Sequence, residues 1–268
     1  MRDQYAGDLS DLIKFSFLRA LAASDRKLGV AWYYAPGDDG RPDGRHIEHR
    51  AETSWRALDA DVHGALAALD GRSVAALEQL TVWPAETSFH RDAVPRGRRE
   101  GWLSGMRDAL RSADLVFLDP DNGLGHDPEK HAQISDLHEL AREGRTLVVI
   151  KFPGRTKYET QISDVHAQLQ AAGFRGIATL RTNVSVPTHS DSRRVVQRPR
   201  FFTLISADET LIERTRLFAE RFSRLPNARA SMHTAEDSES PEGARGGRRR
   251  RLSGASRRAD HRSELLEG

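Results

Sequence analysis

Asp114-Leu115-Val116-Phe117-Leu118-Asp119-Pro120-Asp121-Asn122-Gly123-Leu124 is the stretch that decides the fold. The run Leu115–Leu118 is apolar without alternation and stops abruptly at turn residues. That pattern predicts a strand buried on both faces, and hence a parallel sheet. In open α/β sheets ligands bind beyond the carboxyl ends of the strands. Asp119 therefore stands where chemistry would be done, on a loop stiffened by Pro120. A plain turn or cap role would use the same residues. Two acids, a proline, an asparagine and a glycine behind one strand favour the functional reading.

Working outward, element types alternate. A helix over 134–143 leads through Gly144 to a strand at 146–151, and a helix over 158–171 stops at Gly173. Strands follow at 176–182 and 201–206, around a polar excursion from Pro187 to Pro199. Upstream, Leu9, Leu12, Ile13, Phe17 and Leu21 share one face of a helix over 9–23, with Asp8 or Ser10 as N-cap. Leu28–Tyr34 reads as a strand entering the turn-rich loop Pro36–Gly44. A helical insertion spans about 50–80, Thr81–Trp83 is a short strand candidate, and Trp102, Met106 and Leu110 line a further helix. The order predicts an α/β fold, a doubly wound and mostly parallel sheet. Its last two strands have no helix between them and should form an antiparallel edge hairpin.

The 268 residues contain no cysteine, which excludes disulfides, thiol catalysis and thiolate zinc sites. No apolar run approaches the ~20 residues of a membrane span, and the start Met1-Arg2-Asp3-Gln4 resembles no signal peptide. A soluble cytoplasmic protein is the expectation, with no membrane partner. The net charge of +2 is uneven: from Asn227 on there are nine Arg against seven Asp or Glu, leaving 32 basic and 32 acidic residues before it. One domain over 1–225 and a disordered Arg-rich tail over 226–268 are expected, because the tail has little to bury. Arg248–Arg251 and Arg257-Arg258 could add phosphate affinity.

Lys151, Arg155 and Lys157 follow a buried strand and flank Gly154, which suits a phosphate or nucleic-acid backbone at the same cleft as Asp119. His46-x-x-His49, and His126 with His131, could each offer two metal ligands. Neither pair has a third at helical spacing, so exposed histidines are the better reading and no metal is expected. An EF-hand fails on register, since Gly123 is fifth rather than sixth from Asp119. Glycine-rich dinucleotide, phosphate-loop and Gly-x-Ser-x-Gly motifs do not occur.

A parallel sheet ending in an antiparallel hairpin is the layout shared by class I S-adenosylmethionine-dependent methyltransferases. Tyr5-Ala6-Gly7-Asp8-Leu9-Ser10-Asp11-Leu12-Ile13-Lys14 resembles the N-terminal segment of the bacterial 23S ribosomal RNA adenine-N6 methyltransferases. Asp119-Pro120 sits where that family carries Asp-Pro-Pro-Tyr; here Asp121 replaces the second proline and Asn122 the tyrosine. Phe15 stands where the family has a cofactor-contacting histidine. The resemblance implies methyl transfer to an amino nitrogen of a nucleic-acid base, with RNA as the expected partner. Asp119 and the Pro120 carbonyl would accept the amino N–H bonds, with Asp121 and Asn122 completing the catalytic loop. Tyr5 and Lys14 would lie beside S-adenosylmethionine, and Gly37, Asp38 and Asp39 would supply the loop after the first strand. Two other readings remain: a catalytically degenerate binding protein of the same fold, and a Mg²⁺-dependent phosphatase using Asp119-x-Asp121 with Lys151.

Overall fold

The computed structural model describes residues 1–37, 46–142, 144–154, 156–187 and 194–235. Seven strands form one sheet: β1 (Leu28–Trp32), β2 (Ser88–His90), β3 (Leu115–Asp119), β4 (Thr146–Lys151), β5 (Ile177–Pro187), β6 (Val195–Ile205) and β7 (Ala228–Thr234). Their order is β2-β1-β3-β4-β6-β5-β7. β1, β2, β3 and β4 run parallel, with Leu28 beside Leu115 and Leu115 beside Thr146. As the unbroken apolar runs require, β1 and β3 are buried throughout. β6 is antiparallel to both β4 and β5, and β7 is antiparallel to β5.

Helices cover both faces. On one lie α1 (Leu9–Ala22), α2 (Ala60–Ala67), α3 (Val74–Glu78) and α7 (Glu209–Ser223). Their apolar residues join Val30, Phe117, Ile150 and Phe202 in one core. On the other lie α4 (Glu100–Ala109), α5 (Ile134–Leu140) and α6 (Tyr158–Ala171), packed on Val116, Leu118, Leu147 and Val149. Strand residues alternate between the two cores, as a period of two demands. α1 is capped by Asp8, whose carboxylate accepts the N–H groups of Ser10 at 2.8 Å and Asp11 at 3.2 Å. It is buried nearly all round, the polar Ser10, Asp11, Lys14 and Ser16 included.

Three expectations need correction, while the helical insertion near 50–80 is present in short pieces. The β5–β6 hairpin forms, but β7 and not the hairpin is the sheet edge, so the ordered body continues past residue 225 to at least Thr234. Thr81–Trp83 is not a strand: Arg19 takes the Val82 carbonyl and the Trp83 indole donates to Leu77, so side chains use that segment up. The short edge strand is instead Ser88–His90. The insertion near 50–80 is a broken series, a 3₁₀ turn at Thr53–Ala57 followed by α2 and α3, interrupted near Gly71 at φ +74°. The Arg-rich runs of the tail lie outside the described residues. Among the described residues no helix is long and apolar enough to cross a membrane.

Candidate functional site

The chain leaves β1 toward β2 and returns across it to β3, so the order of the sheet reverses between β1 and β3. The crevice beyond the carboxyl ends of that pair is where a doubly wound sheet binds ligands. Trp32 and Asp119 end the two strands as register partners. Beneath this crevice three buried charges meet. The Lys14 ammonium lies 3.0 Å from Asp119 Oδ2 and 2.6 Å from Asp11 Oδ1. It stands 5.8 Å from the centre of the Trp32 ring.

Local sequence explains the cluster. With Asp8 as cap, Asp11 and Lys14 fall one turn apart on the same face of α1. Asp11 Oδ2 accepts the Gly7 N–H at 2.6 Å, and Gly7 adopts φ +73°. Arg50 donates twice to the Gly7 carbonyl, at 3.2 and 3.1 Å. Arg200, on β6 and also buried, donates from Nε to Ser10 Oγ at 2.9 Å.

Burial pushes the Asp11 carboxyl up to about 6 against the pull of Lys14. Burial works against the Lys14 ammonium too, but Asp11 and then Asp119 outweigh it and hold it above the ordinary lysine range. Lys14 is therefore charged at neutral pH, where Asp11 and Asp119 share it. Burial also lowers Arg200 to about 10, which leaves it a cation at neutral pH.

The loop after Asp119 is tied down. Asn122 N–H donates to the Lys130 carbonyl at 3.0 Å and Ala132 N–H to the Gly123 carbonyl at 2.9 Å. Pro120 is buried, Asp121 half-buried and Asn122 exposed. Gly123 has φ +82°, and a Cβ there would stand 2.7 Å from the Lys151 Cβ. Lys151 is thus packed against this loop, half-buried, with burial lowering its ammonium pKa. The α-ammonium of Met1 also stands at this edge, 2.6 Å from the Tyr33 carbonyl and 3.1 Å from Asp121 Oδ1.

The structure therefore brings together Lys14, Asp119 to Gly123 and Lys151. Gly37 is exposed at φ +87°, and its carbonyl faces Arg2 Nη1 at 3.3 Å. Tyr5 closes the 3₁₀ turn Asp3–Tyr5 ahead of α1 and packs on the α1-side core. Lys157 is exposed, immediately before α6. Asp38, Asp39 and Arg155 lie outside the described residues. Phe15 is a core residue, its ring 4.5 Å from that of Trp83. His49 is not exposed as expected: only 3% of it reaches solvent, and burial pulls its imidazole down to about 4. Among the described residues no three His, Asp or Glu side chains group as a metal site.

Sequence reasoning missed Asp11 and Arg200. Asp11 was legible as the i, i+3 partner of Lys14, whereas Arg200 gave no signal beyond its charge. A separate cleft of ≈ 390 Å³ lies between the 46–55 segment, the end of β5 and the turn at Leu225–Asn227. None of the residues expected in the site lines it.

No protein-family model and no curated protein matches the sequence. Among solved structures, the chain is similar to a Legionella pneumophila str. Philadelphia 1 protein of family model DUF519. The two share 11% identity over 85% of this chain and 98% of that one, with a TM-score of 0.47. It is also similar to a precorrin 8W decarboxylase from Methanobacterium thermoautotrophicum, at 12% identity over 72% and 89% of the chains and a TM-score of 0.30. The protein is a mixed α/β protein with a buried charge cluster at the reversal point of its sheet.

Proposed function

We propose that this protein transfers a methyl group from S-adenosylmethionine to an amino nitrogen of a nucleic-acid base. One observation carries the reading: the two segments behind the resemblance, 5–14 and 119–122, meet in space through Lys14 and Asp119. Sequence separation gives no reason for that contact, and a shared ligand crevice does. The antiparallel β6 between β4 and β5 supports the same class of sheet.

The residues present fit the cofactor's chemistry. The Tyr33 carbonyl and the Asp121 carboxylate at the crevice are acceptors of the kind that the ammonium of a methionine moiety requires. Gly37 offers a loop in which a Cβ would meet nothing within 4 Å, leaving room for close backbone approach. When bound, the cofactor supplies an electrophilic methyl group. The protein's part is to aim the nucleophile. An amino group on a base is a weak nucleophile because its lone pair is delocalised into the ring. Asp119 accepts one of its N–H bonds and the Pro120 carbonyl the other, which draws the lone pair out of conjugation and fixes its direction. Lys14, 3.0 Å from Asp119 Oδ2, holds that carboxylate in one orientation.

Phosphoryl transfer through Asp119 and Asp121 is the weaker reading, because Asp119 already pairs with the buried Lys14. The test is methyl transfer to adenine- and cytosine-containing RNA and DNA. Asp119→Ala should abolish it, and Asp119→Asn should retain part, since an amide oxygen still accepts one N–H bond. Equal rates in the wild type and Asp119→Ala, with both fully folded, would refute the assignment.

A further inference from the structure

Beyond Lys151, β4 stops but its neighbours do not. Lys151 pairs with Phe201, Phe201 with Arg181 and Arg181 with Ser231, so these four side chains form one row on one face of the sheet. From Thr182–Arg200 to Pro187–Val195, β5 and β6 continue for six more pairs. At the usual rise per residue that is about 20 Å of ribbon past the carboxyl edge that carries Asp119.

On that face the next rows are polar and open. Asn183 lies beside Arg229, and the Asn183 and Gln197 amides join Ser185 in a hydrogen-bonded ladder. Gln197, Arg229 and, at the hairpin turn, Arg194 are exposed. On this face the strands carry Arg181 and Arg229 and no Asp or Glu, whereas Arg198 and Arg200 alternate to the opposite face, where Arg200 is buried against Ser10. Glu159 of α6 pairs with Arg181 at 3.0 Å while Tyr158 lies under the same guanidinium at 4.8 Å. The charged strand residues of this face are thus all cations. Directly after Lys151 in the chain, where β4 stops, Phe152 is 40% exposed, one of few large apolar side chains so placed among the described residues.

Acid-free cationic ribbon and exposed aromatic are the two components of a single-strand binding surface: charge that follows the backbone, and a ring on which a base stacks. We propose that this face of β5–β6–β7, with Phe152 at its foot, is a track for single-stranded nucleic acid. The backbone runs past Arg194 and Arg229, and the base nearest the carboxyl edge stacks on Phe152. Phe152 thereby takes the place of the aromatic that Asn122 does not supply. The inference deepens the methyl-transfer reading, which gives a base its reason to stand at that edge, but binding itself does not depend on catalysis.

The test is fluorescence anisotropy with the full chain and labelled single-stranded RNA and DNA of about 12 nucleotides, between about 50 and 200 mM salt. Arg194→Ala with Arg229→Ala should weaken binding and flatten the logarithmic salt slope by about 0.7 for each lost phosphate contact. Phe152→Ala should weaken it by about 5- to 150-fold with the slope unchanged. The Arg residues after Arg245 are common to every variant, so differences belong to the ribbon. No binding by the wild type, unchanged affinity and slope in the variants, or tighter binding of a duplex of the same length would overturn the track. S-adenosylmethionine titrated into the same preparations separates the two readings. Cofactor binding without nucleic-acid binding removes the track alone. Nucleic-acid binding without cofactor binding leaves the track and removes methyl transfer.

Discussion

Lys14 Nζ and Asp119 Oδ2 lie 3.0 Å apart across 105 residues of sequence, both closed off from solvent. Burying an ion pair is costly, and stripping one partner from it costs more than the pair itself contributes. Lys14→Met would leave Asp11 and Asp119 facing each other without a cation. Urea unfolding at neutral pH should show a loss of about 3–5 kcal/mol. Acidification toward the Asp11 pKa should restore part of it, because protonation removes the repulsion. A loss below about 1 kcal/mol would mean that the cluster is hydrated and open.

Asp11 and His49 should pull the acid stability profile in opposite directions. The folded-state pKa of His49, about 4, lies below its ordinary 6.5, so the unfolded chain binds its proton first. Stability from this residue is complete above about 6.5 and is lost as pH falls toward 4, on the order of 3 kcal/mol in all. The Asp11 value, about 6, lies above its ordinary 3.8, so folding takes up a proton and its share rises over the same descent. His49→Gln should flatten the loss of melting temperature between about pH 6.5 and 4, and Asp11→Asn should steepen it. Identical slopes in all three proteins would contradict both assignments.

On the opposite face, Asp136 has no exposure and accepts from Arg99 at 2.6 Å, Tyr33 at 2.8 Å and the Gln133 N–H at 3.0 Å. Arg99→Met should cost about 3–5 kcal/mol by leaving the carboxylate unpaired. Tyr33→Phe removes one of three donors and should cost about 1 kcal/mol. Chemical denaturation ranks the two, and a reversed ranking would show that the hydroxyl rather than the guanidinium holds Asp136.

Gly123→Ala is expected to damage the site and the fold together. Its φ of +82° disfavours any Cβ by about 1–2 kcal/mol. The added methyl would also press on Lys151 Cβ and Cγ. Methyl transfer should fall further than the loss of folded protein accounts for, as measured by rate per folded molecule. Unchanged specific activity would detach the loop from catalysis.

Much of the fold was legible because its central strands obey one simple rule. Leu28–Trp32, Leu115–Asp119 and Thr146–Lys151 are buried on two faces and read as continuous apolar runs. β7 escaped because it is an edge strand: Arg229, Ser231 and His233 alternate with small or apolar residues and look like tail. The helix α7 carries its period in Leu211, Thr215, Phe218 and Phe222, though no expectation above covers it. Asp119 was legible from the strand that delivers it. That Lys14 reaches it was implied by family resemblance alone, because helix position fixes a face and not a partner. Phe152 was unreadable as an exposed ring, since exposure depends on where β4 stops and β6 continues.

The central claim, an S-adenosylmethionine-dependent methyltransferase with Asp119 at its nucleophile, is tested most directly by calorimetric titration of the cofactor into the wild type and Asp119→Ala. Asp119 addresses the amino group rather than the cofactor, so both proteins should give the same saturable, one-to-one heat, with a dissociation constant in the ~1 μM–1 mM range common for enzyme substrates. No saturable heat in the wild type up to about 1 mM cofactor would contradict the account.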